Sequence, residues 1–452
     1  MSALKKVYDM LPVALQNICV SLYGIKRQYS RYGGDFKKRL AFFLETEKKD
    51  KEFIEEYQLN ELIKLLKIAE KSEHYKKAFE EAGVKPEDIK TLSDIKKLPV
   101  LSKQDLRKNV KSFYTYYGNR NLTFHTSGST GTPLTIKTNI EDFRSRMALL
   151  ERLKICHGVN RKMRHITFVG KVITKKKKCF WRYNLFGRQL VMSVYDLHDK
   201  NKDLYLKEAV RYKPEVIEGY PSAVNILAKW AIEEGTDISP KAVFVTAETL
   251  LPEQRENIEK AFGCKVINYY GSAEGAPLIT QCEHGRLHVN YESGIVEFLR
   301  DDGTDAAPGE SAHMVVTCFL TKSTPLIRYK IEDVAVYSDT KCECGRSSIV
   351  VDEILGRLDD VFITPEKGAV GRLSTSFKLL PPVIRRAQIR QMAPDRFDLL
   401  LEADSGDIQP GLIDPVLSDL EDKLGKVNIT VKYVKEIPAG ANGKFRSQIK
   451  CF

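Results

Sequence analysis

A run of hydroxyls and small residues, Thr126, Ser127, Gly128, Ser129, Thr130, Gly131, Thr132 and Pro133, follows the β-prone stretch Leu122-Thr-Phe-His. Backbone N–H groups and hydroxyls on a loop with little Cβ bulk can wrap phosphate oxygens. The Gly-Lys-[Ser/Thr] ending of a Walker loop is absent, so the stretch alone reads equally as a flexible turn. A second set is built on thiols: Cys342 and Cys344 stand two apart, and Cys282 precedes them with His284 and His288. Thiolates plus one imidazole make a tetrahedral donor set for Zn²⁺ with no open position, a structural site. Unligated thiols in a turn are the alternative. A third candidate is Lys444, in the glycine-rich stretch Pro438-Ala-Gly-Ala-Asn-Gly-Lys-Phe-Arg. A lone lysine near a C-terminus is ordinarily solvated, and the glycine-rich context raises this one above that expectation.

Other motifs follow the hydroxyl loop in fixed order: Tyr269-Tyr-Gly-Ser-Ala-Glu274, Arg328-Tyr-Lys-Ile-Glu-Asp333, Gly356-Arg-Leu-Asp-Asp360 and Gly443-Lys-Phe-Arg. From about Asp94 to the C-terminus this ordered set resembles the adenylate-forming ligases, the superfamily of acyl-CoA synthetases, peptide-synthetase adenylation domains and luciferases. Gly219-Tyr-Pro-Ser, Thr246-Ala-Glu, Arg328-Tyr-Lys and the cysteine pattern resemble most the branch of phenylacetate-CoA ligases, capsule-biosynthesis CapK proteins and coenzyme F390 synthetases. The resemblance implies an α/β fold: a large N-terminal adenylate-forming domain with mixed α/β sheets and a small mobile α+β C-terminal domain. It implies that Thr126–Thr132 hold ATP phosphates, that Tyr270, Gly271 and Ser272 line the nucleotide and acyl pocket, and that Glu274 binds Mg²⁺. Asp333 would accept from the ribose hydroxyls with Arg357 in support, Asp359 would be the hinge, and Lys444 would act on the carboxylate and α-phosphate. Here the motif reads Tyr-Lys-Ile-Glu-Asp where the family commonly has Tyr-Arg-Thr-Gly-Asp, which keeps Asp333 but removes the glycine that eases the local turn. Cys282, His288, Cys342 and Cys344 match a zinc set of some relatives, with His288 fitting that pattern better than His284.

The implied activity is ATP-dependent, AMP-forming activation of a carboxylic acid as an acyl-adenylate, followed by acyl transfer to CoA. The alternatives are transfer to an amine or hydroxyl in polysaccharide biosynthesis, AMP transfer to an unusual acceptor, or a catalytically silent nucleotide-binding scaffold. Retention of Glu274, Asp333 and Lys444 together argues against silence.

Elements must bring these residues together. Short apolar runs at Ile166-Thr-Phe-Val, Glu215-Val-Ile-Glu, Val243-Phe-Val-Thr and Val266-Ile-Asn-Tyr alternate with helical segments, the pattern of an α/β sheet with crossovers. Ligands in such sheets bind beyond the strand ends. Residues 1–120 read as a helical lead-in to the large domain, with Leu59, Leu62, Leu65, Leu66 and Ile68 as a core face. Residues 121–359 read as the adenylation core and 360–452 as the small domain. At the N-terminus Leu4, Val7, Leu11, Leu15, Ile18 and Leu22 form a stripe flanked by Lys5, Lys6, Lys26 and Arg27. Pro12 breaks the amphipathic face, which favours packing on the fold over contact with a membrane surface or a polysaccharide-assembly partner.

Composition bounds the rest. At 452 residues with 42% hydrophobic and 29% charged, the chain can bury a sizeable core. The surplus of +12 favours anionic partners, while no nucleic-acid motif accompanies Lys175–Lys178, which reads as a solvated loop. No stretch reaches the ~18 apolar residues of a membrane span and no signal-peptide pattern opens the chain. A cytoplasmic location is therefore expected, with the nine cysteines kept as thiols.

Overall fold

The structure, a computed structural model, describes residues 3–118, 120–125, 134–170, 173, 179–357, 362–370, 373–381, 383–403, 411–438, 440 and 444–452. The hydroxyl loop Thr126–Pro133, the lysine run Lys175–Lys178, and Asp359 with Asp360 lie outside the described residues. The chain is α/β, with mixed sheets and a small α+β portion at its C-terminal end, and it divides into two compact units.

The first unit comprises Met1–His165, Arg182–Leu190 and Ile267–Ile354. Its helix Lys51–Ala69 starts at Asp50, whose side chain accepts from the Phe53 N–H; such a cap contributes about 1 kcal/mol. Leu62, Leu65, Leu66 and Ala69 are fully buried, while Leu59 and Ile68 are half-buried at the margin of the same face. That face meets Phe36, Phe43, Met314, Val316 and Tyr329 in one core. The strands here run in the order 294–299, 311–318, 329–338, 350–357, 287–289, 278–281 and 266–271. A separate antiparallel hairpin pairs Asn121–His125 with Thr135–Asn139, His125 opposite Thr135, so its two strands bracket the hydroxyl loop.

The second unit comprises Ile166–Trp181, Val191–Val266 and Leu355–Phe452. Strands Val216–Gly219 and Ala242–Thr246 pair in parallel and are joined through helix Pro221–Glu233, a βαβ crossover. Val243 and Phe244, which point to opposite faces, are both buried, as expected of a parallel strand covered on both faces. Toward the C-terminus four strands are ordered 428–434, 396–402, 386–393 and 448–450. Phe397, Leu399 and Leu401 pack there against Val416, Leu420 and Leu424 of helix Asp414–Leu424.

The N-terminal stripe departs from expectation. It lies on α1 (Ala3–Met10) and α2 (Val13–Tyr32), with Pro12 between them. The buried residues of α2 are Gln16, Ser21, Gly24 and Ser30, whereas Leu15, Ile18 and Leu22 are exposed and Leu11 is half-buried. The expectation that this stripe packs on the fold is corrected: the helix is docked by its polar side. Arg182 Nε donates to Gln16 Oε1 at 2.7 Å, the Tyr183 N–H to Asn17 Oδ1 at 3.0 Å, and the Leu185 N–H to Ser21 Oγ at 3.0 Å. Gly24 permits the approach, since a Cβ there would lie 2.3 Å from Asn184 Oδ1. Hydrogen-bond satisfaction of a buried arginine and of backbone donors thus outweighs apolar burial in setting the helix face.

Candidate active site and metal centre

In the first unit the chain leaves the 121–139 hairpin directly into helix Ile140–Cys156, capped by Asn139 Oδ1 on the Asp142 N–H at 2.7 Å. One turn on, Arg146 Nη2 donates to the Ser272 carbonyl. Burial pulls the Arg146 guanidinium below the ordinary arginine value, and Cys318, Tyr269 and Glu274 counter it. Arg146 therefore places a cation beside the Tyr269–Glu274 motif, a residue that nothing in its own spacing singles out.

The motif itself ends strand Val266–Gly271 and turns through Ser272, whose Oγ donates to the Ala276 carbonyl at 2.8 Å. Glu274 is buried, and Cys318 Sγ donates to its carbonyl at 3.3 Å. Gly275 follows with φ +94°, and a Cβ there would meet Thr321 Cγ2 at 3.1 Å and Cys318 Sγ at 3.2 Å. The turn therefore requires glycine. These contacts fix the backbone at Glu274, whose carboxylate is the kind of hard oxygen donor that Mg²⁺ takes.

Tyr270 and Asp333 meet, the Tyr270 hydroxyl donating to Asp333 Oδ2. Asp333 sits on strand Tyr329–Ser338. A bulge in that strand just before it has a backbone shape suited to glycine, because Glu332 adopts φ +70°. The Glu332 carboxylate pairs with the buried Lys103 ammonium. A left-handed conformation costs a non-glycine residue roughly 1–2 kcal/mol, and a partly exposed ion pair returns up to about 1 kcal/mol. Glu332→Gly is accordingly expected to change unfolding free energy by no more than about 1 kcal/mol and to leave the KM for ATP near wild type. Thermal melts with nucleotide titration check this, and a large rise in KM would show that Glu332 does more than shape the bulge.

Arg357 is the last residue of strand Val350–Arg357, and its side chain is outside the described residues. Lys444 belongs to the second unit, where neighbours fix its backbone from both sides. Its carbonyl accepts from the Gly440 N–H at 2.9 Å, and the Phe445 N–H donates to Glu248 Oε1 at 2.6 Å. Gln388 Nε2 donates to the Arg446 carbonyl at 2.7 Å. Burial pushes the Glu248 carboxyl up, opposed by its hydrogen bonds to Phe445 and Ser222 and by the Lys444 charge. Ala247, just before it, has φ +72°.

Cys282, His288, Cys342 and Cys344 form a buried cluster in the first unit, their donor atoms all within 4.8 Å of one another. Two tight turns present the thiols: the Gly285 N–H donates to the Cys282 carbonyl at 2.9 Å and the Gly345 N–H to the Cys342 carbonyl at 3.2 Å. Cys282 Sγ lies 3.8 Å from Cys342 Sγ, and Cys344 Sγ 3.4 Å from His288 Nε2. Ligands at Zn–S ≈ 2.3 Å and Zn–N ≈ 2.0 Å in a tetrahedron stand about 3.5–3.8 Å apart, so the donors fit zinc. Ser348 Oγ lies 3.4 Å from His288 Nδ1, the kind of second contact that orients a ligating ring. Burial lowers the His288 imidazole to about 4, which keeps it neutral. Burial raises Cys282 to about 11, while at Cys344 it is outweighed by the Arg346 N–H and guanidinium. Arg346 in turn is held by Glu283 at 2.6 Å and Glu47 at 2.9 Å. His284 stands apart, 43% exposed and 3.5 Å from Glu343.

The description "CapK C-terminal domain" matches residues 362–450. Protein CapK of Staphylococcus aureus is 31% identical over 459 aligned residues, covering 99% of each chain. Phenylacetate-coenzyme A ligase of Thermus thermophilus is 24% identical over 315 residues, 66% of this chain and 68% of its own. A solved 2-hydroxyisobutyryl-CoA ligase, in the postadenylation state with 2-HIB-AMP, shares the fold with a TM-score of 0.72 over 90% of this chain and 91% of that one, at 20% identity. The full-length identity to CapK, together with the similarity to phenylacetate-CoA ligases, means that this chain belongs to the CapK family, in the adenylate-forming branch of which those ligases are also members.

Proposed function

We propose that the protein is an AMP-forming ligase that activates a carboxylic acid with ATP. The observation that carries this reading is the Tyr270–Asp333 pair, held at a glycine-like bulge although the glycine is replaced by Glu332. A backbone held in a strained conformation beside that pair suits a nucleotide-binding carboxylate better than a solvated loop. Asp333, supported by Arg357, would accept from the ribose hydroxyls, the Thr126–Thr132 hydroxyls and amides would hold the terminal phosphates, and Tyr270, Gly271 and Ser272 would line the pocket. Glu274 would hold the Mg²⁺ that accompanies ATP, which supplies charge neutralisation on the phosphates.

In the reaction a carboxylate oxygen attacks the α-phosphorus in line, the bond to the pyrophosphate oxygen breaks, and acyl-adenylate and pyrophosphate form. Lys444 would neutralise the carboxylate and α-phosphate as they approach, a contribution largest in the transition state. The second half-reaction is attack of the CoA thiol on the acyl carbonyl, releasing AMP, with Asp359 as the hinge between residues 121–359 and the small domain 360–452. A second reading gives the acyl group to an amine or hydroxyl of a saccharide. It is favoured by one fact: identity to CapK extends over the whole chain, whereas the phenylacetate ligase alignment covers 66% of it. Cys282, His288, Cys342 and Cys344 would hold a structural Zn²⁺.

The test is ATP–pyrophosphate exchange across a panel of aryl, fatty, amino and sugar acids, followed by CoA, amines and saccharides as acceptors. Exchange that depends on one class of acid is expected. A protein that exchanges pyrophosphate with none of them while binding ATP would be a scaffold instead.

A further inference from the structure

No helix among the described residues is long and apolar enough to cross a membrane. The N-terminus nevertheless presents an apolar face outward. Leu15, Ile18, Leu22, Ile25 and Tyr29 recur on α2 at steps of three and four, so they share one stripe. All five are between 44% and 66% exposed. A second element extends the patch: at the 182–190 turn Leu185 and Phe186 are 64% and 60% exposed, and Gln28 Nε2 of α2 donates to the Phe186 carbonyl at 3.1 Å. Contiguous exposed apolar surface of this kind marks an interaction site.

Charge identifies the partner. Residues 1–40 contain eight Lys and Arg against Asp9 and Asp35, a surplus of 8 − 2 = 6, half of the chain's +12. On α2 there is no acidic residue, while Lys26, Arg27 and Arg31 follow the stripe, with Lys26 and Arg27 exposed. The 3–4 spacing also suits a second helix. A second copy of α2, however, would bring three cations against three cations with no carboxylate of its own to meet them. Anionic headgroups satisfy those cations while the acyl boundary takes the leucines and the amphipathic tyrosines.

We propose that the outer face of α2, with the Leu185–Phe186 turn, docks the protein peripherally on an anionic lipid surface. The stripe does not hold the fold together, so its residues can be changed without unfolding the chain. Full-length protein is to be sedimented with vesicles of phosphatidylcholine alone and of phosphatidylcholine with phosphatidylglycerol, at low and high salt. Binding is expected to the anionic vesicles and to weaken with salt. The triple change Leu15→Ser, Leu22→Ser and Ile25→Ser should reduce it at least about tenfold at an unchanged melting temperature. Lys26→Glu with Arg27→Glu should reduce it about thirtyfold or more, since each basic residue near such a surface contributes about fivefold. Equal binding to neutral and anionic vesicles, or to neither, overturns the proposal. So does a dimer in light scattering that the triple variant dissociates, which would assign the face to a second copy of the chain. A marked fall in melting temperature of the triple variant would show the stripe to be packed and overturns it equally.

Discussion

Replacing Lys444 by Ala is expected to lower acid-dependent ATP–pyrophosphate exchange about 10²–10³-fold while ATP affinity changes far less. The cation is most needed when the carboxylate and α-phosphate are forced together, so its loss falls on kcat. The backbone around it is held by Gly440, Glu248 and Gln388. Glu248 would therefore act as a positioning residue, through the Phe445 N–H. Glu248→Ala should lower the exchange kcat with the KM for ATP preserved, and Glu248→Gln, which keeps an acceptor oxygen, should restore much of it. Exchange by Lys444→Ala at the wild-type rate would remove the lysine from the chemistry.

The second large effect concerns the metal centre. Protein purified without added metal should carry one zinc per chain by elemental analysis. Cys282→Ser or Cys344→Ser should lose it, with a loss of stability above about 4 kcal/mol, the range in which loss of a structural metal falls. The two turns holding Cys282 and Cys342 are 60 residues apart in sequence and meet beside the paired strands 287–289 and 350–357, so the ion would add a cross-link to that pairing. His284→Ala should retain the zinc, because His284 faces Glu343 outside the cluster. A metal-free protein of equal stability, or zinc lost with His284 and kept without His288, would contradict the assignment.

Different parts of this molecule were legible to different degrees in its sequence, for physical reasons. The run at Ala242–Thr246 read as a strand because a parallel strand buried on both faces needs uninterrupted apolar residues. The Cys and His spacing was readable because few other arrangements of soft donors occur so close in a chain. By contrast, Arg146 and Arg152 sit among other charged residues of helix Ile140–Cys156, yet Arg152 is buried and bonded to Glu292 at 2.6 Å. Their partners arrive from more than a hundred residues away, and no local pattern encodes that. Glu248 carries no mark beyond the phrase Thr246-Ala-Glu. Position 332 was read from its missing glycine as a weakness in the turn, but a glutamate anchored on Lys103 holds the same left-handed conformation. The stripe on α2 misled for the opposite reason. Periodicity shows that an apolar face exists and not which side of the helix the fold will take, and here Arg182, Tyr183 and Leu185 needed the polar side.

The central claim is that a carboxylate oxygen attacks the α-phosphorus of ATP. With an acid selected by the exchange panel and labelled with ¹⁸O in its carboxylate, single-turnover product analysis by mass spectrometry tests this directly. One labelled oxygen is expected in AMP, carried across when the acyl group leaves the adenylate, with none in pyrophosphate. Formation of ADP and labelled inorganic phosphate, or AMP without label, would contradict the account.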